Sequence, residues 1–200
     1  MKERDKWERR YLDSPEPIYG HEPSGFLRRS LALLPAGGRC LDLGGGQGRN
    51  AIFLAARGWD VLLVDAAVAG VARARACAHV QGVRLAALAG DATESPLNIT
   101  GPAFDLVLIV NYHDRAAIAA APDWLCGGGV LLVEGFAREQ LGRSSGGPQD
   151  PAFLWRPNEL LDLVRPLRVL WYEDRLTCDD DNPRHRGEKW VVRMIARKNP

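Results

Sequence analysis

Two apolar runs, Phe104-Asp-Leu-Val-Leu-Ile-Val110 and Val130-Leu-Leu-Val133, constrain this chain more than any other feature. A strand with one wet face alternates apolar and polar residues; a run that does not alternate is buried on both faces, as in a parallel sheet covered by helices. Arg39–Leu43, Asp60–Val64 and, more weakly, Val83–Ala89 read as further strands, with helices over Arg49–Arg57 and the Ala-rich Arg115–Leu125. A helical stripe of Val68, Val71, Ala72 and Ala76, with Arg75 on the same side, adds another. Asn158–Val164 reads as a short helix, and Arg168–Leu176 with Trp190–Ala196 as an antiparallel pair joined by a polar loop. The pattern predicts a doubly wound α/β sheet, with its ligand beyond the carboxyl ends of the strands near the switch in strand order.

Ahead of this alternation, Lys2–Tyr11 has good helix formers, with Trp7 and Tyr11 one turn apart. Ser14-Pro-Glu-Pro17 breaks it, and a second short helix is expected over Ser24–Leu34. The expected organisation is one structural domain, made of an N-terminal helical segment (1–36) and a ligand-binding body (37–200). With 200 residues, 46% of them hydrophobic, and a net charge of +1, the chain can bury a sizeable core and is not globally disordered. The near-neutral charge argues against a polyanionic partner, so no nucleic acid is expected. No apolar run approaches the roughly 20 residues of a membrane span. MKERDKWERR lacks the apolar core of a secretory signal. Cys40, Cys77, Cys126 and Cys178 are scattered without a CxxC pair. The expectation is a cytoplasmic protein with reduced thiols, no membrane partner and no metal. Cys178-Asp-Asp-Asp181 reads as solvated carboxylates, and the pairs Arg9-Arg10 and Arg28-Arg29 as solvated helix faces. Oligomeric state is not legible.

The first strand runs into Asp42-Leu-Gly44-Gly-Gly46-Gln-Gly48-Arg-Asn50. Glycines allow positive φ and let backbone approach a ligand closely. A dinucleotide fingerprint needs Gly-x-Gly-x-x-Gly, but counted from Gly44 the third glycine position holds Arg49, so that pattern fails. The second strand ends in Asp65, placed to accept from both hydroxyls of a ribose, and the third in Gly90-Asp91-Ala92, where a carboxylate can meet an exocyclic amine. Carboxylates around a glycine turn suit a nucleoside carrying an amine and a positive centre. They suit pyrophosphate badly, because Asp42 would face the phosphates.

Leu41-Asp-Leu-Gly-Gly-Gly-Gln-Gly-Arg-Asn-Ala-Ile-Phe-Leu-Ala55 resembles motif I of the class I S-adenosylmethionine-dependent methyltransferases. The resemblance is to the small branch containing the tellurite-resistance and thiopurine methyltransferases, and it extends over nearly the whole chain. Lys6-Trp-Glu-Arg-Arg-Tyr11, Ile18-Tyr-Gly20, Leu33-Leu-Pro35, Gly128-Gly-Val-Leu-Leu-Val-Glu-Gly135, Gln140-Leu-Gly142 and His185-Arg-Gly187 fit that branch. Gly45 stands where the branch usually has Cys, and Gln47 where an acidic residue is common. The resemblance implies a seven-stranded, mainly parallel sheet with an antiparallel C-terminal hairpin, and S-adenosyl-L-methionine as cofactor. It implies that Gly44, Gly45 and Gly46 hold the methionyl part with Gly48 and Asn50 nearby, Asp65 with Ala66 the ribose, and Asp91 with Ala92 the adenine. Asn111, Tyr112 and His113 are then expected to border cofactor and substrate, and the N-terminal helix to close over the pocket with Trp7, Tyr11 and Tyr19.

For the acceptor, His113 and His185 are the candidate proton acceptors. Arg184, His185 and Arg186 can form a cationic reader of an anionic or electron-rich substrate, which Arg143 can join. His21 is placed beside Tyr19 at the entry. After the fourth strand, Asn111-Tyr-His-Asp114 lacks the prolines of nucleic-acid amino-methyltransferases and a Pro-Cys nucleophile. The expected activity is methyl transfer to a compact small molecule such as a thiol, an oxyanion or a heterocycle. Two alternatives stay open. A non-catalytic binder of S-adenosylmethionine or S-adenosylhomocysteine is favoured if both histidines point away from the pocket. A nicotinamide-dependent oxidoreductase is disfavoured by the glycine spacing and Asp42.

Overall fold

A computed structural model describes residues 3–90, 99, 101–178 and 184–200. Its strands are β1 (Arg39–Leu43), β2 (Asp60–Asp65), β3 (Ala86–Ala89), β4 (Phe104–Val110), β5 (Leu125–Phe136), β6 (Arg168–Thr177) and β7 (Lys189–Arg197). They form one sheet in the order β3-β2-β1-β4-β5-β7-β6. The first five are mutually parallel, and β7 runs antiparallel between β5 and β6. The order reverses between β1 and β4, and it is there that the chain's glycine turn leaves the sheet. The helices are α1 (Glu3–Asp13), α2 (Gly25–Arg29), α3 (Arg49–Ala55), α4 (Val68–Val80), α5 (Arg115–Trp124) and α6 (Glu159–Leu163).

Alternation along the strands sends side chains to two cores. On one face, Leu41, Leu43, Val107, Ile109, Leu131 and Val133 meet Ile118 and Ala121 of α5 and Leu160 of α6. On the other, Cys40, Leu63, Leu106, Leu108, Val130 and Leu132 meet Phe26 and Leu27 of α2, Leu54 of α3 and Val71 and Ala74 of α4. This double burial is what the unbroken run in β4 demanded. Its one charge, Asp105, lies near the strand's start and accepts from the Arg39 N–H at 2.8 Å.

Four expectations need correction. In α4 the buried positions are Gly70, Val71, Ala74 and Ala78, whereas Val68, Ala72 and Ala76 are exposed. The helix turns its small residues inward because it lies against the glycine turn: a Cβ on Gly48 would sit 2.8 Å from that of Ala74. Arg75 reaches back to the Ala87 carbonyl of β3. The helix expected over Ser24–Leu34 stops at Arg29 and tightens into a 3-10 turn over Leu31–Leu33. β5 begins at Leu125, five residues before the apolar run, because Cys126-Gly-Gly-Gly129 provides an irregular start that apolarity does not reveal. β3 starts only at Ala86. No helix among the described residues is long and apolar enough to cross a membrane, and all four cysteines are free.

Where β5, β6 and β7 meet, Arg193 is 2% exposed. It donates to Glu134 and to Glu173, both at 2.8 Å, and the Ser24 hydroxyl donates to the other oxygen of Glu134. Burial would raise the Glu173 carboxyl, but Arg193 and Arg175 hold it below its usual range. Removing one partner of a buried ion pair strands the others. Arg193→Met should therefore cost about 3 kcal/mol in urea unfolding. Adding Glu134→Gln and Glu173→Gln should recover most of that loss.

Candidate active site

The turn after β1 sets the site. Gly44, Gly46 and Gly48 have φ of +66°, +54° and +87°, a region that side-chain-bearing residues enter only with strain. Space forbids side chains as well: a Cβ on Gly44 would collide with the Tyr112 ring, and one on Gly46 would lie 2.5 Å from the Tyr11 hydroxyl. Gly45 has ordinary φ, but a Cβ there would come within 2.7 Å of Leu63 and 2.9 Å of Asp42. A side chain at Gly45 would therefore require Leu63 or Asp42 to shift. Asp65 braces the turn from the end of β2, its two oxygens accepting from Gly46 N–H and Ala67 N–H at 2.8 Å each.

Above this turn and beyond β4 opens a cavity of about 1070 Å³. One side is lined by Gly44–Asn50, Asp65 and Ala66, the roof by Trp7, Arg10, Tyr11 and Tyr19, and the other side by Asn111–Ala116, Phe136, Phe153, Trp155, Arg184 and His185. Asn111 takes a left-handed φ of +55° while its N–H bonds the Glu134 carbonyl at 2.8 Å, which turns the chain outward at the strand end. Asp114 then caps α5 through Ala117 N–H at 2.9 Å. Glu159 takes up Arg115 at 2.5 Å, and Arg115 and Arg156 hold its carboxyl down at about 2 against its burial.

The N-terminal segment is fastened by side chains of the motif itself. Gln47 Oε1 accepts from Ile18 N–H at 2.7 Å, Asn50 Oδ1 from Ser24 N–H at 2.8 Å, and Arg49 donates to the Tyr19 carbonyl at 3.3 Å. Glu8 accepts from Ala69 N–H at 3.0 Å, capping α4, whose own N-cap, Ala67, has no side chain able to do so. An aromatic series follows, Tyr11 to Trp7 at 5.6 Å between centroids, Trp7 to Tyr19 at 6.3 Å, Tyr19 to His185 at 5.7 Å and His185 to Phe136 at 4.9 Å. None of these four hydrogen bonds has a signal in the sequence, because each joins a polar side chain to backbone 26 to 61 residues away.

Both histidines line the cavity. His113 lies on Trp155 at 4.0 Å, and burial, then Arg115, pulls its imidazole down to about 4. Burial, then Arg184, Lys189 and Arg49, brings His185 to about 4, against a contribution from the Ser145 backbone. Each is neutral near pH 7, with a buried ring nitrogen that has no hydrogen-bond partner, Nε2 in His113 and Nδ1 in His185.

Other candidates fall elsewhere. Asp42, 1% exposed, does not line the cavity but lies beneath the turn. The expectation that it faces a ligand directly is corrected accordingly: β1 turns it under Gly45. Arg186 is exposed and outside the lining, and Arg143 pairs with Glu188 at 3.9 Å and lies over Trp190. His21 is exposed beside Glu16, whereas Arg10, read as solvated, lies over Trp7 and lines the roof. Asp91 and Ala92, and Asp179–Asp181 beside Arg184, lie outside the described residues. Among the described residues no group of three or more His, Cys, Asp or Glu is placed to hold a metal.

Residues 40–129 match the family model described as a methyltransferase domain. That match spans 90 of the 200 residues and points to a methyltransferase domain. The match, together with structural relatives named as S-adenosylmethionine-dependent methyltransferases, supports that enzyme class, with S-adenosylmethionine as cofactor. The structure is similar to one solved in work titled "Conversion of a Disulfide Bond into a Thioacetal Group during Echinomycin Biosynthesis", with a TM-score of 0.73 and 18% identity over 99% of this chain and 93% of the other. It is also similar to TehB from Haemophilus influenzae, with a TM-score of 0.68 and 18% identity over 99% and 68% of the two chains. A SAM-dependent methyltransferase from Methanosarcina mazei gives 0.67 and 16% over 89% and 99%. No curated protein sequence matches the chain. The residues present fit the cofactor: the turn offers a cradle without Cβ atoms and Asp65 opens on it, and both lie inside the matched stretch. His185, Arg184 and α1 lie outside it.

Asp42 supplies a test of the turn's electrostatics. Burial, then Asp65, raises its carboxyl to about 7, opposed by Arg49 and the Ala51 N–H. Between about pH 4 and 7 the native state therefore holds a proton that the unfolded chain has lost, and stability falls as pH rises through that window. Asp42→Asn keeps an acceptor for Ala51 and should match the wild-type melting temperature near pH 4. At pH 8 it should exceed wild type by several degrees. A difference independent of pH would remove the carboxyl from this role.

Proposed function

We propose that the chain transfers the methyl group of S-adenosylmethionine to a small-molecule acceptor, a thiol, an oxyanion or a heterocycle, as in the tellurite-resistance and thiopurine branch it resembles. The single observation that carries the reading is one cavity with the glycine turn and Asp65 on one side and two neutral imidazoles on the other. A small acceptor accords with the aromatic rings that line the cavity and with the disulfide-to-thioacetal conversion in echinomycin biosynthesis named for one structural relative. Within this reading residues 1–36 are a lid on the body 37–200.

When bound, S-adenosylmethionine supplies a methyl already made electrophilic by its sulfonium. What remains for the protein is to bind, align and exclude water. Gly44–Gly46 present backbone to the methionyl part, Asp65 accepts from the ribose hydroxyls, and Asn111 with Tyr112 separates cofactor from acceptor. Trp7, Tyr11 and Tyr19 close the roof. Arg184 steers an electron-rich acceptor into place. His185, neutral at pH 7, takes the acceptor's proton where the nucleophile must lose one, with His113 as the second candidate on the same side of the cavity. Arg143 and Arg186 reach this site only if their loops shift, so they carry less of the proposal.

Calorimetric titration with S-adenosylhomocysteine, with NADH as comparison, tests the cofactor half. Binding of the former alone is expected, and Asp65→Ala should weaken it at least tenfold, about 1.4 kcal/mol or more. Unchanged affinity in a folded Asp65→Ala protein removes the ribose assignment. For the acceptor half, release of S-adenosylhomocysteine is followed across a panel of small thiols, oxyanions and heterocycles. His185→Gln should cut turnover while sparing S-adenosylhomocysteine affinity. In the wild type, turnover should fall only as pH drops toward about 4, where the imidazole protonates. Loss confined to cofactor binding would put His185 on the wrong side of the cavity.

A further inference from the structure

Gln140 ends the 3-10 turn Arg138–Gln140 just after β5, is fully buried and does not line the cavity. Both ends of its amide are in use. Oε1 accepts from Trp190 N–H at 2.8 Å, while Nε2 donates to Ser145 Oγ at 3.0 Å and to the Gly146 carbonyl at 2.7 Å. One side chain thus ties the Gly142–Pro151 loop to the start of β7.

The tied point is where the loop meets His185. A Cβ on Gly146 would lie 3.0 Å from His185 Nδ1, and the Ser145 backbone lies on the side that favours the protonated ring, although Nδ1 forms no hydrogen bond in this structure. Phe136 and Tyr19 pack against the same ring, and the cations acting on it are Arg184, Lys189 and Arg49. Nδ1 is therefore turned to the loop and shut from solvent, which leaves Nε2 as the nitrogen available to the cavity that His185 lines. A neutral imidazole carries one proton, and the partner of one nitrogen decides whether the other is a donor or an acceptor.

We propose that Gln140 is a positioning residue for His185: by pinning Ser145 and Gly146 it seats the imidazole with protonated Nδ1 toward the loop and the Nε2 lone pair toward the cavity. The proposal rests on the reading of His185 as proton acceptor, but its test needs no acceptor molecule. The chain has four histidines, so the ring nitrogens of the ¹⁵N-labelled full-length protein can be followed by long-range ¹⁵N–¹H correlation, with the His185 signals assigned by their loss in His185→Gln.

In the wild type, a protonated Nδ1 and a bare Nε2 are expected, with titration well below the ordinary histidine range. Gln140→Glu keeps an acceptor for Trp190 N–H but sets a carboxyl oxygen against the Gly146 carbonyl. Gln140→Met removes the amide altogether. Both should mix the tautomers and move the midpoint upward by about half a pH unit or more. A wild-type proton on Nε2, or an unchanged tautomer and midpoint in folded Gln140 variants, overturns the proposal. Should circular dichroism show both variants unfolded, Ser145→Ala, which removes one of the two acceptors of Nε2, should shift the ring in the same direction by less, and an unmoved ring there overturns it equally. Turnover that survives His185→Gln would overturn the reading of His185 while leaving this spectroscopic signature in place, so the two failures are distinguishable.

Discussion

The left-handed backbone of Gly44, Gly46 and Gly48, braced by Asp65, is the constraint on which the rest of this structure depends. A turn with three such residues in five carries no side chain at those positions, so surrounding groups close on bare backbone there. Leu63 comes up under Gly45, Ala74 of α4 against Gly48, Tyr112 against Gly44 and the Tyr11 hydroxyl against Gly46. Each approach depends on a missing Cβ, and together they bring β2, α4, the end of β4 and α1 to one point. The sheet's switch in strand order opens a cleft there, and the packing around the turn shapes it.

The roof is attached to that same turn. Gln47, Arg49 and Asn50 hold backbone atoms of Ile18, Tyr19 and Ser24, and Glu8 completes the N-terminus of α4 in return. Gln47 therefore has a structural use here, its Oε1 accepting the Ile18 N–H. Because one short segment anchors the N-terminal helix and bounds the cofactor side of the cavity, changes in the turn reach both.

The two sides of the cavity differ in kind. The glycine side consists of backbone and one carboxylate on consecutive elements of the matched domain. The histidine side is assembled from the end of β4, the loop after β5 and the residues before β7, held by Gln140, Arg193 and the Arg115–Glu159 pair. Desolvation and nearby guanidinium groups keep both imidazoles neutral. Cations therefore surround this part of the site without the histidines adding to them.

Much of the fold was legible in the chain because its signals are local. Unbroken apolar runs place β4 and the heart of β5, and glycine and carboxylate spacing places the turn and Asp65. Errors arose where contacts between distant segments decide. The inward face of α4 is set by the closeness of the glycine turn, so alanine and glycine were favoured there over exposed Val68. Asp42 and Asp65 look equivalent as strand-end carboxylates, yet the pleat sends one beneath the turn and the other into the cavity. His185 and Arg186 are neighbours in sequence, and only loop packing buries the first and leaves the second in water. The sequence by itself determined which backbone could form and which strands must be buried on both faces, because φ preference and hydrophobic pattern are properties of neighbouring residues. Only the tertiary structure decided which polar side chains share the cavity, because that depends on hydrogen bonds and van der Waals contacts between segments more than 160 residues apart, such as Tyr19 and His185.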